Sequence, residues 1–234
     1  MTITKHIKHI GIIGCSYEGA ALCYKTICNE GSNYLGEHAH PEVSLHTYPL
    51  NEYMKYVHLD DWGGVAELMI ASANKLVNIG AEILICPDNT IHQSIPIVKQ
   101  KISTPWLHIA EEVLTEAKNN NYKNIGVLGT KFLMEGPVYE VKCNEAGIHY
   151  EIPDAEQRNQ INSIIFDELV YGVLNNSSKV YLLNVIVDLK NQGCDAVVLG
   201  CTEIPLIIFP EESPLPTLDS TRILARAALK KAIE

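Results

Sequence analysis

Apolar residues in this chain gather in short unbroken runs, separated by longer stretches in which they recur every three or four positions. Ile10 to Ile13, Ile83 to Cys86, Ile125 to Leu128 and Ala196 to Leu199 are such runs. This is the pattern of strands buried on both faces of a parallel sheet. Val43 to Tyr48, Ile148 to Ile152 and the extended segment Pro105 to Ile109 complete the extended set. Helical spacing fills the intervals. The Asp60-Asp-Trp-Gly-Gly64 cluster opens a long helix reaching about Ile79, whose Val65, Leu68, Met69, Ala73, Leu76 and Val77 fall on one face. The same reading predicts helices over Glu18 to Asn29, Ser94 to Lys101, Glu111 to Lys118, Pro137 to Ala146, Ile161 to Leu174, Ser178 to Asn191 and Ser220 to Ile233. Strands alternating with helices at these lengths predict parallel sheets joined by right-handed crossovers.

Two stretches overlay on one another. Gly80-Ala-Glu-Ile-Leu-Ile-Cys-Pro-Asp88-Asn-Thr90 runs in step with Gly193-Cys-Asp-Ala-Val-Val-Leu-Gly-Cys201-Thr-Glu203, so Asp88 and Cys201 fall at the same step. Likewise Lys8-His-Ile-Gly11-Ile-Ile-Gly14-Cys-Ser16 matches Lys123-Asn-Ile-Gly126-Val-Leu-Gly129-Thr-Lys131. The expected architecture is α/β, with two pseudo-symmetric doubly wound parallel-sheet lobes and the active site in the cleft between them, since ligands bind at the carboxyl ends of such strands. The expected division places residues 1–103 and 214–234 in an N-terminal lobe and 104–213 in a C-terminal lobe.

Composition narrows the function. The 234-residue chain carries a formal net charge of −10 and no cluster of Lys and Arg, which argues against a nucleic-acid surface. It has no apolar run long enough for a membrane span. The start, Met1-Thr-Ile-Thr-Lys-His-Ile-Lys-His9, lacks the apolar core of a signal peptide, so a cytoplasmic location without membrane association is expected. Seven scattered cysteines with no CxxC pairing read mostly as reduced, buried fillers.

Cys201, after Gly200 and before Thr202-Glu203, stands where a strand ends. It reads as a thiolate base or nucleophile, against the alternative of one more small apolar residue. Asp88, between Pro87 and Asn89-Thr90, reads as an acid or base, or as a turn-forming or capping residue. Cys86 has a strand-interior register and reads as buried. His92, four residues after Asp88, reads either as a group orienting a carboxylate or as a packed histidine. The histidines His38, His40 and His46 make only a weak metal signal, and Gly11-Ile-Ile-Gly14 lacks the G-x-G-x-x-G of a dinucleotide site. No cofactor or metal is expected.

These residues carry a family resemblance. Ile10-Gly-Ile-Ile-Gly14-Cys-Ser-Tyr-Glu18, Asp88-Asn-Thr-Ile-His92, Leu128-Gly-Thr-Lys-Phe132, Ile165-Phe-Asp-Glu-Leu169, Leu199-Gly-Cys-Thr-Glu-Ile204 and Pro216-Thr-Leu-Asp-Ser-Thr221 occur in the order of the motifs of the PLP-independent aspartate/glutamate racemases, which the chain resembles over nearly its whole length. The resemblance implies a cofactor-independent amino-acid racemase, a small-molecule amino acid as ligand, and a homodimer. Cys201 matches one of the two cysteines most members use, while Asp88 stands in place of the other. By the same matching Ser16, Tyr17, Asn89, Thr90, Thr130 and Thr202 are expected to hold the amino acid, with His92 and Glu203 in support. Acidic-substrate members carry a cation on the helix matching Ile161 to Gly172. Here that stretch has none, leaving Lys131 or Arg158 as substitutes. Two alternatives stay open: a decarboxylase or isomerase of the same superfamily using Cys201 alone, or a non-catalytic amino-acid sensor.

Overall fold

The computed structural model describes residues 6–234. Residues 1–5, part of the stretch read as lacking a signal-peptide core, lie outside the described residues. Two compact units divide the chain, the first running to Ile109 and taking up Thr221–Glu234, the second comprising Ala110–Ser220.

In the first unit β1 (Ile10–Gly14) leads into α1 (Tyr17–Leu35), β2 (Val43–Thr47), α2 (Leu50–Val57), α3 (Trp62–Asn78), β3 (Ile83–Ile85) and, after a 3₁₀ turn, α4 (Ile95–Val98). Its sheet has the order β2-β1-β3, all parallel. The central strand is wholly buried, so both faces must be apolar, as the run of isoleucines requires. The second unit contains α5 (Ile109–Asn119), β4 (Asn124–Leu128), α6 (Lys131–Met134), α7 (Pro137–Ala146), β5 (His149–Glu151), α8 (Ala155–Ser163), α9 (Asn176–Asn191), β6 (Ala196–Leu199) and β7 (Thr217–Asp219). Its sheet runs β5-β4-β6-β7, again all parallel. The last helix, α10 (Ser220–Ile233), packs Leu224, Ala225, Ala228 and Leu229 into the core of the first unit with Ile10, Ile12, Ile83 and Ile85. Each such buried branched side chain contributes about 2 kcal/mol through the surface it removes from water.

The internal repeat extends to side-chain detail. Gly80 and Gly193, which open the two overlaid stretches, have φ of +102° and +96°, a left-handed geometry that suits glycine. Two residues on, Glu82 accepts a hydrogen bond from the His9 N–H at 3.2 Å and Asp195 from the Lys123 N–H at 2.8 Å, each tying down the entry to the neighbouring central strand. Gly11 and Gly126 leave room for helix leucines. A Cβ would meet Leu76 of α3 at 3.2 Å and Leu189 of α9 at 2.8 Å, and both leucines lie four residues before their turn glycine.

Several expectations shift. The first crossing between units falls at Ile109 and not at Ser103 to Pro105, because Leu84 donates to the Pro105 carbonyl and accepts from the Leu107 N–H, keeping this segment on the first sheet. The return falls at Ser220 and not at Pro214, because Thr217–Asp219 forms a strand beside β6 that the sequence reading omitted. The helix expected over Ile161 to Leu174 starts earlier, at Ala155, behind an Asp154–Gln157 capping box. It then loosens into a π-helical turn at Ile164–Glu168 and a 3₁₀ turn at Leu169–Tyr171. The helix expected from Ser94 is a 3₁₀ turn, Thr90–Ser94, followed by the short α4.

Candidate active site

In the first unit the ends of β1 and β3 are neighbours, with Ile12 opposite Ile85, so the turns that follow them meet. The Asp88 carboxylate bridges them. Its Oδ2 accepts the Cys15 N–H at 2.9 Å and its Oδ1 the Ser16 N–H at 3.1 Å. Both oxygens thus carry hydrogen bonds that suit a carboxylate in its ionised form. Ser16 is the N-cap of α1, its hydroxyl accepting from the Gly19 N–H at 3.4 Å, and Tyr17 follows as an exposed first helical residue. Asn89 is buried and Thr90 half-buried where the 3₁₀ turn begins.

His92 is buried and acts on backbone. Ile109 donates its N–H to Nδ1 at 3.4 Å, so the proton sits on Nε2, which donates to the Cys86 carbonyl at 2.9 Å. That bond holds the end of β3 two residues before Asp88. Cys86 is fully buried, and burial followed by the Asp88 carboxylate pushes its thiol well above the usual range, in line with a filler role.

In the second unit the Cys201 thiol is half-buried and donates to Glu203 Oε2 at 3.0 Å. The same oxygen accepts the Thr202 hydroxyl at 2.6 Å, and Glu203 is itself buried. Glycines let this turn lie close to its neighbour: the Gly200 N–H reaches the Leu128 carbonyl at 2.7 Å, and a Cβ on Gly200 would stand 2.8 Å from that oxygen. Beside it Thr130 caps α6, its hydroxyl accepting from the Leu133 N–H at 3.2 Å. Burial pushes the Cys143 and Cys194 thiols up to about 12 and about 11, so the filler reading holds for them. Cys201 differs by its exposure and its carboxylate partner. A negative group beside a thiol opposes the thiolate, so Glu203→Gln is expected to speed alkylation of Cys201 by iodoacetamide at pH 7.5 several-fold, read by peptide mass spectrometry.

The two cations suggested as substitutes for the missing helix cation already have partners. Arg158 donates to Glu135 Oε1 at 3.0 Å and to the Pro153 carbonyl, and Lys131 donates to Asn159 Oδ1 at 2.9 Å with Glu135 at 4.0 Å. The three histidines weighed as a metal cluster are separately engaged: His38 beside Glu37, His40 at the Pro41 carbonyl, and His46 at Ser72 and Lys75. The sequence reading missed Tyr53, a fully buried tyrosine on α2 that lies in the electrostatic field of Cys15, Cys86 and Asp88. Its helix was not anticipated, because Leu50–Val57 is short and follows directly on Tyr48-Pro49.

The family model for Asp/Glu/hydantoin racemases matches residues 10–228. The chain belongs to this racemase family. Over 97% of its length it superposes on all of a candidate Asp/Glu racemase from Yersinia pestis, with a TM-score of 0.89 at 30% identity. An aspartate racemase homologue from Pyrococcus horikoshii OT3 matches over the same share, with its whole chain covered, at a TM-score of 0.84 and 28% identity. Among curated proteins, the broad specificity amino-acid racemase RacX of Bacillus subtilis (strain 168) is 24% identical over 169 residues, 72% of this chain and 73% of RacX. Membership in the racemase family supports an amino-acid racemase type of function. No described helix is long and apolar enough to cross a membrane.

Proposed function

We propose that this protein is a PLP-independent amino-acid racemase in which Asp88 and Cys201 remove and return the α-proton from opposite faces of the α-carbon. The observation that carries the reading is the repeat itself. A carboxylate and a thiol stand at the same register position beyond matched strand ends, and each is held by specific hydrogen bonds. Racemisation needs two acid/base groups for its two faces.

The pair is chemically unequal. An ordinary carboxylate is a weaker base than an ordinary thiolate by roughly 4.6 pKa units, or about 6 kcal/mol of proton affinity. The two N–H groups on Asp88 favour its proton-accepting form, whereas the Cys201 thiol, donating to Glu203, rests as a proton donor. In this state Asp88 takes the α-proton and Cys201 supplies its replacement. Because the two enantiomers have equal free energy, kcat/KM must match in both directions. The inequality therefore appears in kcat and KM taken separately.

A panel of L- and D-amino acids, acidic and neutral, incubated with the protein in heavy water and followed by NMR, tests the activity. Exchange of the α-hydrogen with inversion of at least one member is expected. Ligand binding without exchange across the panel would instead indicate an amino-acid sensor. A second reading follows from the anchored state of Asp88: with its oxygens committed to the turn, Cys201 alone would serve as proton donor to a decarboxylation intermediate. Release of CO₂ from a malonate, without racemisation, identifies that case.

A further inference from the structure

The helix α6, which follows the end of β4, is a single turn long. A helix this short cannot hold itself, because its first N–H groups have no partner within it. Two of them are taken by side chains. The Thr130 hydroxyl accepts from the Leu133 N–H at 3.2 Å, and Asn162 on α8 accepts the Lys131 N–H on its Oδ1 at 2.9 Å. Asn162 is half-buried, and the neighbouring Ile161 is wholly buried in the core of the second unit with Leu128 and Leu199. The acceptor therefore stands on a firmly placed helix.

In its turn α6 covers the stretch that carries Cys201. The buried Leu133 side chain lies over two glycines at once: a Cβ on Gly129 would stand 2.7 Å from its Cδ2, and a Cβ on Gly200 2.6 Å. The two glycine turns are also joined directly, through the Gly200 N–H on the Leu128 carbonyl at 2.7 Å. A shift of α6 is thus passed by Leu133 to Gly200, the residue before Cys201, since close-packed groups transmit displacement. Two further links tie α8 to α6, from Lys131 Nζ to Asn159 Oδ1 at 2.9 Å and from Arg158 to Glu135 at 3.0 Å. Both end on partly exposed side chains of α6 and its C-cap and constrain the backbone little. The Asn162 bond reaches the backbone of α6 itself.

We propose that Asn162 is a positioning residue for Cys201. It acts through α6 and Leu133, setting where the Gly200–Cys201 turn stands and hence the line along which the thiol meets the α-carbon. The role rests on the acid/base part given to Cys201 in the proposed racemisation. A displacement of about 1 Å between reacting groups costs about 100-fold in rate, and the drift of one unanchored N–H is smaller than that.

Asn162→Leu keeps the size of the side chain and removes the acceptor, whereas Asn162→Asp keeps an acceptor oxygen in the same place. Each enantiomer of a turned-over amino acid is placed separately in heavy water, and the initial rate of α-hydrogen exchange is followed by NMR. The enantiomer that presents its hydrogen to Cys201 is identified as the one whose exchange disappears in Cys201→Ala. In Asn162→Leu its exchange is expected to fall about tenfold while that of the other enantiomer stays within about twofold, the scale of a modest misplacement of one reacting group. Asn162→Asp is expected to restore most of the loss. A general loosening of the fold would lower both enantiomers alike. Asn162→Ala removes the acceptor without branched bulk and is expected to give the same one-sided loss, which keeps the test open should the leucine variant fail to fold by circular dichroism. An unchanged rate for the Cys201-facing enantiomer, equal losses for both, or a loss in Asn162→Asp as large as in Asn162→Leu overturns the positioning role and leaves the racemase reading intact. Absence of exchange in the unaltered protein overturns that reading, and the role with it.

Discussion

Cys201→Ala is expected to lower racemisation by at least about 100-fold, because a positioned acid/base group contributes about 10² to 10⁴ in rate. The fold should tolerate the change. The thiol is half-buried, and its removal leaves Thr202 still bonded to Glu203, so the stability cost is expected to stay within about 1 kcal/mol. Circular dichroism and the thermal midpoint check the second expectation, and chiral chromatography of the product checks the first. A variant that folds and still racemises at an undiminished rate would remove Cys201 from the mechanism.

Asp88→Asn is expected to act on activity and stability together. An amide offers one acceptor oxygen where the carboxylate offers two, and its NH₂ group would face one of the N–H donors of Cys15 and Ser16. Loss of one charge-assisted bond costs about 1.5–3 kcal/mol, and the loss of the base lowers racemisation by about 100-fold or more. Asp88→Cys separates the two roles. It places a thiol where most family members have one, yet a thiol is a poor acceptor for two N–H groups. That variant should therefore lose stability much as Asn does while recovering part of the α-hydrogen exchange. Urea unfolding and NMR exchange, measured on the same samples, distinguish these outcomes.

What the sequence revealed and what it hid follow from the range of the forces involved. The strands were legible because burial on both faces leaves unbroken apolar runs, and the repeat was legible because the same glycine, acidic residue and strand recur in each half. Glu82 and Asp195 show how far this goes: both secure the start of a central strand, and the overlay had already paired them. Asp88 and Cys201 were singled out by register. Their hydrogen-bond partners were not. The N–H groups that hold Asp88 belong to Cys15 and Ser16, more than seventy residues away, and backbone donors leave no trace in residue identity. Ser16 and Thr130, expected from the family resemblance to hold the amino acid, have hydroxyls that cap helices.

The least legible features were irregular or distant. The π-helical turn at Ile164–Glu168 interrupts a stretch whose apolar spacing looks continuous, because one inserted residue shifts the face without changing the composition. Tyr53 is fully buried on a two-turn helix that packs on α3, an approach the fold brings about and the sequence spacing does not announce. The link between His46, Ser72 and Lys75 crosses from a strand to a helix and has no sequence spacing to announce it.

The central claim is that two different groups serve two opposite faces of one carbon, and the stereochemistry of exchange in single variants tests it most directly. Each enantiomer of a turned-over amino acid is placed separately in heavy water with Cys201→Ala or with Asp88→Asn, and deuterium at the α-carbon is followed by NMR. The account predicts complementary half-reactions: Cys201→Ala exchanges only the enantiomer that presents its hydrogen to Asp88, Asp88→Asn only the other, and neither inverts. Exchange of the same enantiomer by both variants, or full racemisation by either, would contradict it.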